Sequence, residues 1–288
     1  MMQKNNWYIL YALPAVILVT ALIALPTIFT VLFSFTEWQR FNITGFGTLR
    51  HYARALKDLT LGKAFVHNFL YILFTIFLEV GAGLILAGLV NHLKHSIVYR
   101  GLFFSPLILP SIVVGVLWRQ IYAAEGGLLN TIIIALGGKA VSWLDQPYTM
   151  ISVSIVSGWL FAGYFMTIFY SGLSRISRSV IESAIIDGAT PFQVYTKIEL
   201  PLIKNLIMLS LLIVTTGGFK GFDLFQIMLR RDPMESGIVL PTLLVRIFFE
   251  NQDIGYGSAI SMILTAVVVL IMVIISLINK AVGEVEEY

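Results

Sequence analysis

Apolar runs of membrane-crossing length alternate with polar stretches along this chain. The runs cover 8–34, 67–91, 101–122, 148–172, 205–228 and 257–279, and a hydrocarbon core about 30 Å thick needs about 20 residues of helix to cross it. The pattern predicts an all-α integral membrane protein, a single transmembrane domain over 1–288 with six transmembrane helices. Run 8–34 is longer than the apolar core of a secretion signal, and no small-x-small cleavage site precedes Glu37, so it reads as a retained first helix. Pro14 and Pro26 are tolerable where such a helix packs on neighbours, and Pro106 and Pro110 interrupt the third run.

A punctuated polar stretch, 173–204, separates runs four and five. Its residues predict a helix-turn-helix. Ser179 caps a helix with Glu182 closing a Ser-x-x-Glu box, and Gly188 supplies a left-handed stop. Thr190 caps the next helix, with Pro191 at its first position and Gln193 closing a second box. Pro201, preceded by Leu200, is expected to end it. Two capped helices are more than a plain turn requires, so the loop is expected to contact something.

Polar and aromatic residues inside the runs are the other candidates. Glu79 lies near the middle of run two, where a carboxylate must face the bundle interior or a water-filled path, as a functional group or as an interhelical hydrogen-bond partner. Gly83 and Ala87 have the small-xxx-small spacing that lets helices approach closely. Run four interleaves Trp159, Phe161, Tyr164 and Phe165 with Gly158, Ala162 and Gly163, a face suited to sugar rings or simply to helix packing. Lys220 and Asp223 stand one helical turn apart and could pair. Trp159, Tyr164, Lys220 and Asp223 are expected to line or border a cavity at mid-depth. At the end of run three and just past it, Trp118-Arg119-Gln120-Ile121-Tyr122 and Gly126-Gly127-Leu128-Leu129-Asn130 form an interfacial aromatic belt with a snorkelling Arg119.

Composition narrows the function. Hydrophobic residues make up 58% and charged residues 12%, against about 25% charged in soluble domains. A net charge of +3 over 288 residues gives no case for nucleic acid, and the absence of cysteine removes disulfides and thiolate chemistry. No Gly-x-x-x-x-Gly-Lys loop occurs, and no Ser/His/Asp or His-x-x-Glu-His grouping stands out. The chain therefore reads as a transporter rather than an enzyme, without cofactor or metal; His51 reads as structural.

Glu182-Ser183-Ala184, then Asp187-Gly188-Ala189, then Ile198-x-Leu200-Pro201 resembles the EAA loop of ATP-binding cassette (ABC) importer permeases, with Ser183 where the family usually has Ala. The lead-in 45–52 with His67-Asn68, the 118–130 pattern and Phe219-x-x-Phe222-Asp223 are similar to the carbohydrate, MalF-type branch. Arg230-Arg231-Asp232-Pro233 departs from that branch, which has a Gly-Gly-Pro turn there. The resemblance implies a permease subunit that moves a sugar or oligosaccharide through alternating access, driven by a separate ATPase. Glu182, Ser183, Ala184, Asp187, Gly188, Ala189 and Pro201 would form its coupling surface, with Trp159, Tyr164, Lys220, Asp223 and Glu79 along the pathway. Implied partners are a second homologous permease, two copies of the cytoplasmic ATPase and an extracytoplasmic sugar-binding protein. The implied location is a bacterial or archaeal cytoplasmic membrane with both termini inside.

Charge alone leaves the orientation open. With the N-terminus inside, Lys4, Lys94, Arg100, Arg175, Arg178, Lys197, Lys204 and Lys280 are inside, while Arg40, Arg50, Arg54, Lys57, Lys63, Lys139, Arg230, Arg231 and Arg246 are outside. An ion-coupled secondary transporter using Glu79 and Asp223 is the alternative; it should show inverted repeats, and no long internal repeat is visible.

Overall fold

The computed structural model describes residues 7–39, 42–91, 93–229 and 236–284. The Arg230-Arg231-Asp232-Pro233 turn lies outside the described residues. Helices dominate, in chain order α1 (Tyr11–Ser34), α2 (Arg50–Ala55), α3 (Leu59–Asn91), α4 (Ser96–Ile108), α5 (Ser111–Ile121), α6 (Leu128–Ala135) and α7 (Thr149–Leu173). They continue with α8 (Arg178–Ile186), α9 (Pro191–Leu202), α10 (Lys204–Gly218), α11 (Asp223–Leu229), α12 (Leu240–Val245) and α13 (Ile254–Glu284). Strands β1 (Thr36–Gln39) and β2 (Asn42–Phe46) form an antiparallel hairpin after α1.

Among the described residues, four helices are long and apolar enough to cross a membrane: α1, α3, α7 and the Ile254–Lys280 part of α13. Two bent pairs raise the number to six if each makes one crossing: α4 with α5, bent by 91°, and α9 with α10, bent by 71°. The first bend is a proline effect. Leu109, which precedes Pro110, is pushed to an extended ψ of 134°, and a new helix starts at Ser111. Helix α3 begins at Leu59, ahead of the expected 67, because its first turns carry Thr60, Gly62 and Lys63 and so escape an apolar pattern.

Two compact units divide the chain. One comprises Met1–Leu61 and Leu243–Val269. Within it Arg54 pairs with Asp253 at 2.7 Å and lies 3.9 Å over the Tyr256 ring, while Tyr256 donates its hydroxyl to Asp58. His51 Nε2 sits 3.0 Å from the Thr36 carbonyl oxygen, a structural contact as expected.

The other unit comprises Gly62–Thr242 and Leu270–Tyr288 and is built around α7. Val153, Val156, Phe165, Met166 and Phe169 of α7 are fully or almost fully buried. Helix α3 lies against α7 at Gly83, where an added Cβ would meet the Phe165 Cβ at 2.8 Å and the Met166 backbone N at 3.0 Å. Such backbone contact needs a residue without a side chain. Asn68 anchors the chain around α3: its Nδ2 donates to the Gly218 carbonyl and its Oδ1 accepts from Leu240 N. The neighbouring His67 Nδ1 lies 2.8 Å from the Ile238 carbonyl.

Candidate functional site

The second unit contains a cavity of about 400 Å³, a size within the range of small-molecule sites. Helix α3 contributes Tyr71, Thr75 and Glu79; α7 contributes Ser157, Phe161 and Tyr164; the break between α10 and α11 contributes Lys220, Gly221 and Phe222; α11 contributes Asp223. Glu79, 5% exposed, sits within a π-helical turn at Ile76–Gly81, the kind of helix irregularity that often marks functional positions. Ser157 donates to Glu79 Oε1 at 2.7 Å, and Tyr71 donates to Ser157 Oγ at 3.0 Å. This relay crosses from α3 to α7 and back, so both readings of Glu79 coincide: its carboxylate faces the cavity and also joins two helices. Ser111 Oγ donates to Asp223 Oδ2 at 3.0 Å.

Lys220 and Asp223 both line the cavity, but they do not pair. The expected pairing assumed a continuous helix over 205–228, whereas α10 ends at Gly218 and α11 starts at Asp223. The non-helical residues between them remove the one-turn geometry, and Ser111 takes the carboxylate instead. Tyr164 lines the cavity; Trp159 does not, being 42% exposed and meeting the Trp118 ring edge-on at 5.9 Å.

At the far end of α7 lies the helix-turn-helix α8–α9. Asp187 closes α8 and Gly188 follows with φ of +88°. Gly188 N donates to the Ile185 carbonyl and Ala189 N to the Ala184 carbonyl, the paired bonds of a Schellman stop. Thr190 and Gln193 form the expected capping box, each side chain bonded to the other's backbone N–H, with Pro191 at the first helical position. Two expectations fail here. Helix α8 starts after Ser177, which holds the N-cap position with an extended ψ of 133° but makes no side-chain cap bond; its hydroxyl pairs instead with that of Ser179 at 2.7 Å. Ser179 and Glu182 therefore make no capping box. Nor does Pro201 end α9, because a π-helical turn at Tyr195–Glu199 precedes it and the helix continues to Leu202.

Glu182, Ser183, Asp187 and Gly188 are exposed, and Ala184 and Ala189 are half-buried. Ile186 and Phe192 stand 84% and 75% exposed beside them. Tyr195 donates its hydroxyl to the Leu84 carbonyl at 2.7 Å, which ties α9 to α3 five residues beyond Glu79. Sequence reading missed Ser157, Tyr71 and Ser111, each an isolated hydroxyl in or beside an apolar run. It also passed over Glu199 as the variable position before Leu200-Pro201; its carboxylate is buried, and both oxygens lack partners among the described residues.

Membrane-length helices around a cavity, with a capped loop held out beyond them, define a polytopic membrane transport protein. The chain belongs to the family of binding-protein-dependent transport system inner membrane components, whose model matches residues 79–284. It is a multi-pass permease subunit of an ABC importer. It is 29% identical over 274 residues to the osmoprotective compounds uptake permease protein GgtC of Synechocystis sp., covering 92% of this chain and 95% of GgtC. With the alpha-glucoside transport system permease protein AglF of Rhizobium meliloti it shares 28% identity over 271 residues, covering 92% of this chain and 80% of AglF. A similar fold, with a TM-score of 0.84 at 20% identity over 97% of this chain and 96% of the other, occurs in a bacterial alginate ABC transporter crystallised with an alginate pentasaccharide-bound periplasmic protein.

Proposed function

We propose that the chain forms one half of a sugar path through the cytoplasmic membrane, working with a second permease, two copies of a separate ATPase and an extracytoplasmic binding protein. The observation that carries this reading is the construction of α8–α9. Its backbone is fixed by a Schellman stop and a capping box, yet Ile186, Phe192 and the Glu182 carboxylate are left in the open. A rigid loop with an unmatched apolar and acidic surface suits docking onto another protein. We assign the docked partner as the ATPase and place α8–α9 and both termini in the cytoplasm.

Movement of the loop has a direct route to the cavity. Tyr195 grips the α3 backbone at Leu84, and α3 carries Glu79 into the cavity wall. ATP-driven closure of the ATPase would shift α8–α9, and through Tyr195 would shift α3 against α7, opening the cavity to one side of the membrane and then the other. A saccharide suits the cavity chemistry: Tyr71, Phe161, Tyr164 and Phe222 supply aromatic surface, while Lys220, Asp223 and Glu79 supply hydrogen-bonding groups. The naming of AglF for alpha-glucoside transport supports the same class. The carboxylates an ion-coupled carrier would employ, Glu79 and Asp223, are bonded to Ser157 and Ser111, which favours the ATPase-driven reading.

Reconstitution tests it. Vesicles holding the chain with its partner permease, ATPase and binding protein should accumulate saccharide with ATP inside. Accumulation by the isolated chain in vesicles without any ATPase would overturn the proposal.

A further inference from the structure

A second pocket, of about 420 Å³, lies in the same unit, away from the cavity. It is lined by the C-terminal ends of α5 and α11, which contribute Arg119, Gln120 and Leu229, and by the loop leading into α7, which contributes Ser142, Trp143 and Asp145. Helix α7 has 25 residues, roughly 37 Å of rise. The pocket sits at its N-terminal end and α8–α9 follow its C-terminal end, so pocket and docking loop lie on opposite faces of the membrane.

The pocket is built in advance. Asn130, almost fully buried, holds the surrounding loops: its Nδ2 donates to the carbonyls of Ala123, Ala124 and Val141, and its Oδ1 accepts from Val141 N. The same oxygen accepts from Trp143 Nε1 at 3.1 Å, which fixes the indole beside the Tyr122 ring at 5.9 Å between centroids. Around this platform the side chains of Arg119, Gln120, Ser142 and Asp145 have no hydrogen-bond or ion-pair partner among the described residues. A guanidinium supplies donors only and a carboxylate acceptors only. Together they match hydroxyl groups, each of which donates and accepts, while their opposite charges give no preference for an ionic ligand.

Helices α5 and α11 connect this pocket to the cavity. They pack side by side, with Gly115 against Ile227. Their N-terminal residues Ser111 and Asp223 line the cavity and their C-terminal residues line the outer pocket. Arg119 stands eight positions after Ser111 in α5, about 12 Å along the helix.

We infer that the Trp143 pocket is an entry site for a neutral saccharide, which receives the sugar on the outer face and passes it along α5 and α11 into the cavity. The inference rests on the sugar-importer reading above. A ring face lies on Trp143, and hydroxyls bond Arg119 and Asp145. Without the site, sugar released toward the permease escapes outward while the ATPase cycle still turns.

The test uses the complete importer in vesicles with its binding protein, probed with neutral oligosaccharides including maltose, trehalose, sucrose and cellobiose. The readout is saccharide carried per ATP hydrolysed. In the double variant Arg119→Gln/Asp145→Asn this ratio should fall about tenfold, the loss expected for one or two hydrogen bonds to charged groups, while stimulated ATP hydrolysis stays at the wild-type rate. Trp143→Leu should lower it too, and Trp143→Phe, which keeps an aromatic face but loses the bond to Asn130, should retain most of it. An unchanged ratio in the double variant and in Trp143→Leu overturns the entry site and leaves the sugar reading standing. Equal loss of hydrolysis and uptake also overturns it, since that marks a structural fault. If no saccharide stimulates the wild-type complex, the sugar reading fails and the entry site falls with it.

Discussion

The cavity wall and the helix-turn-helix meet their polar groups in opposite ways. In the wall, side chains from different helices satisfy one another: Tyr71, Ser157 and Glu79 in series, Ser111 with Asp223. In α8–α9 the hydrogen bonds that set the turn are internal, Tyr195 alone being described as reaching α3, and the outward groups Glu182, Ile186 and Phe192 are left unmatched. The difference follows from the medium. Within a bilayer an unsatisfied polar group costs several kcal/mol, so the buried groups of the wall, Glu79 and Ser157, need partners of their own. Outside it, water satisfies exposed groups, so a loop can be stiffened internally while its surface stays free for a partner. Damage to the wall should therefore appear as lost folding or lost passage, and damage to the loop as lost coupling.

The strongest way to break that contrast is to place the same side chain in both regions. At Gly163 of α7 an added Cβ would lie 2.0 Å from the Phe103 carbonyl oxygen and 2.4 Å from its carbon. Two helix backbones meet there and neither can rotate away, so Gly163→Val should cost about 3 kcal/mol or more. It should be seen as loss of monodisperse protein in detergent. A well-folded Gly163→Val variant with wild-type thermal stability would show that α4 and α7 are not held as described.

Ser157→Ala comes next. It removes the donor to Glu79 and the acceptor for Tyr71, leaving a buried carboxylate oxygen unsatisfied at roughly 1–3 kcal/mol. Lower thermal stability and reduced uptake are expected, with the amount of co-purified ATPase unchanged. Ser157→Thr, which keeps the hydroxyl, should restore most of both; if Thr behaves like Ala, the relay does not depend on that hydroxyl.

Gly188→Val is the loop's counterpart to Gly163→Val. Nothing lies within 4 Å of the added Cβ, so the cost comes from the backbone alone, at a φ of +88°. Roughly 1–2 kcal/mol of local strain should change the angle between α8 and α9 without touching the membrane helices. Thermal stability of the bulk protein should hold while ATPase association falls several-fold. Gly188→Asn, tolerated better in this conformation, should fall between Val and wild type.

The same contrast governs what was legible from the chain. Most of the helix-turn-helix could be read because its devices act across a few residues: Gly188 as a stop, then Thr190, Pro191 and Gln193 as a start. Its two misreadings are also local. The helix starts after Ser177, two residues before Ser179, with the two hydroxyls bonded to each other, and the π turn at Tyr195–Glu199 let the next helix run past Pro201. Glu79 was legible as a buried carboxylate from depth alone. Its partner was not, since Ser157 lies 78 positions away and no periodicity links them. The Lys220–Asp223 pairing failed for a related reason: an apolar run records which residues lie in the membrane, not whether their helix is continuous, and this one breaks after Gly218.

The smallest structural change should sharpen the comparison most. Glu182 was expected to close a capping box with Ser179 and to belong to the surface that couples to the ATPase. The box is absent: α8 starts after Ser177, ahead of Ser179, and the exposed Glu182 carboxylate has no hydrogen-bond partner among the described residues. Removing its charge therefore takes nothing from the fold, and Glu182→Gln should alter stability by no more than about 0.5 kcal/mol, as for other surface changes. Any loss of ATPase binding in that variant then belongs to the interface itself. The expected loss is several-fold and should shrink as salt rises, because an exposed ion pair is screened over about 8–10 Å at physiological ionic strength. Thr190→Ala is the control, since it removes a real cap at about 1 kcal/mol and should weaken ATPase binding equally at all salt concentrations. Should Glu182→Gln bind the ATPase as tightly as wild type at low salt, the docking surface would rest on Ile186 and Phe192 rather than on the carboxylate.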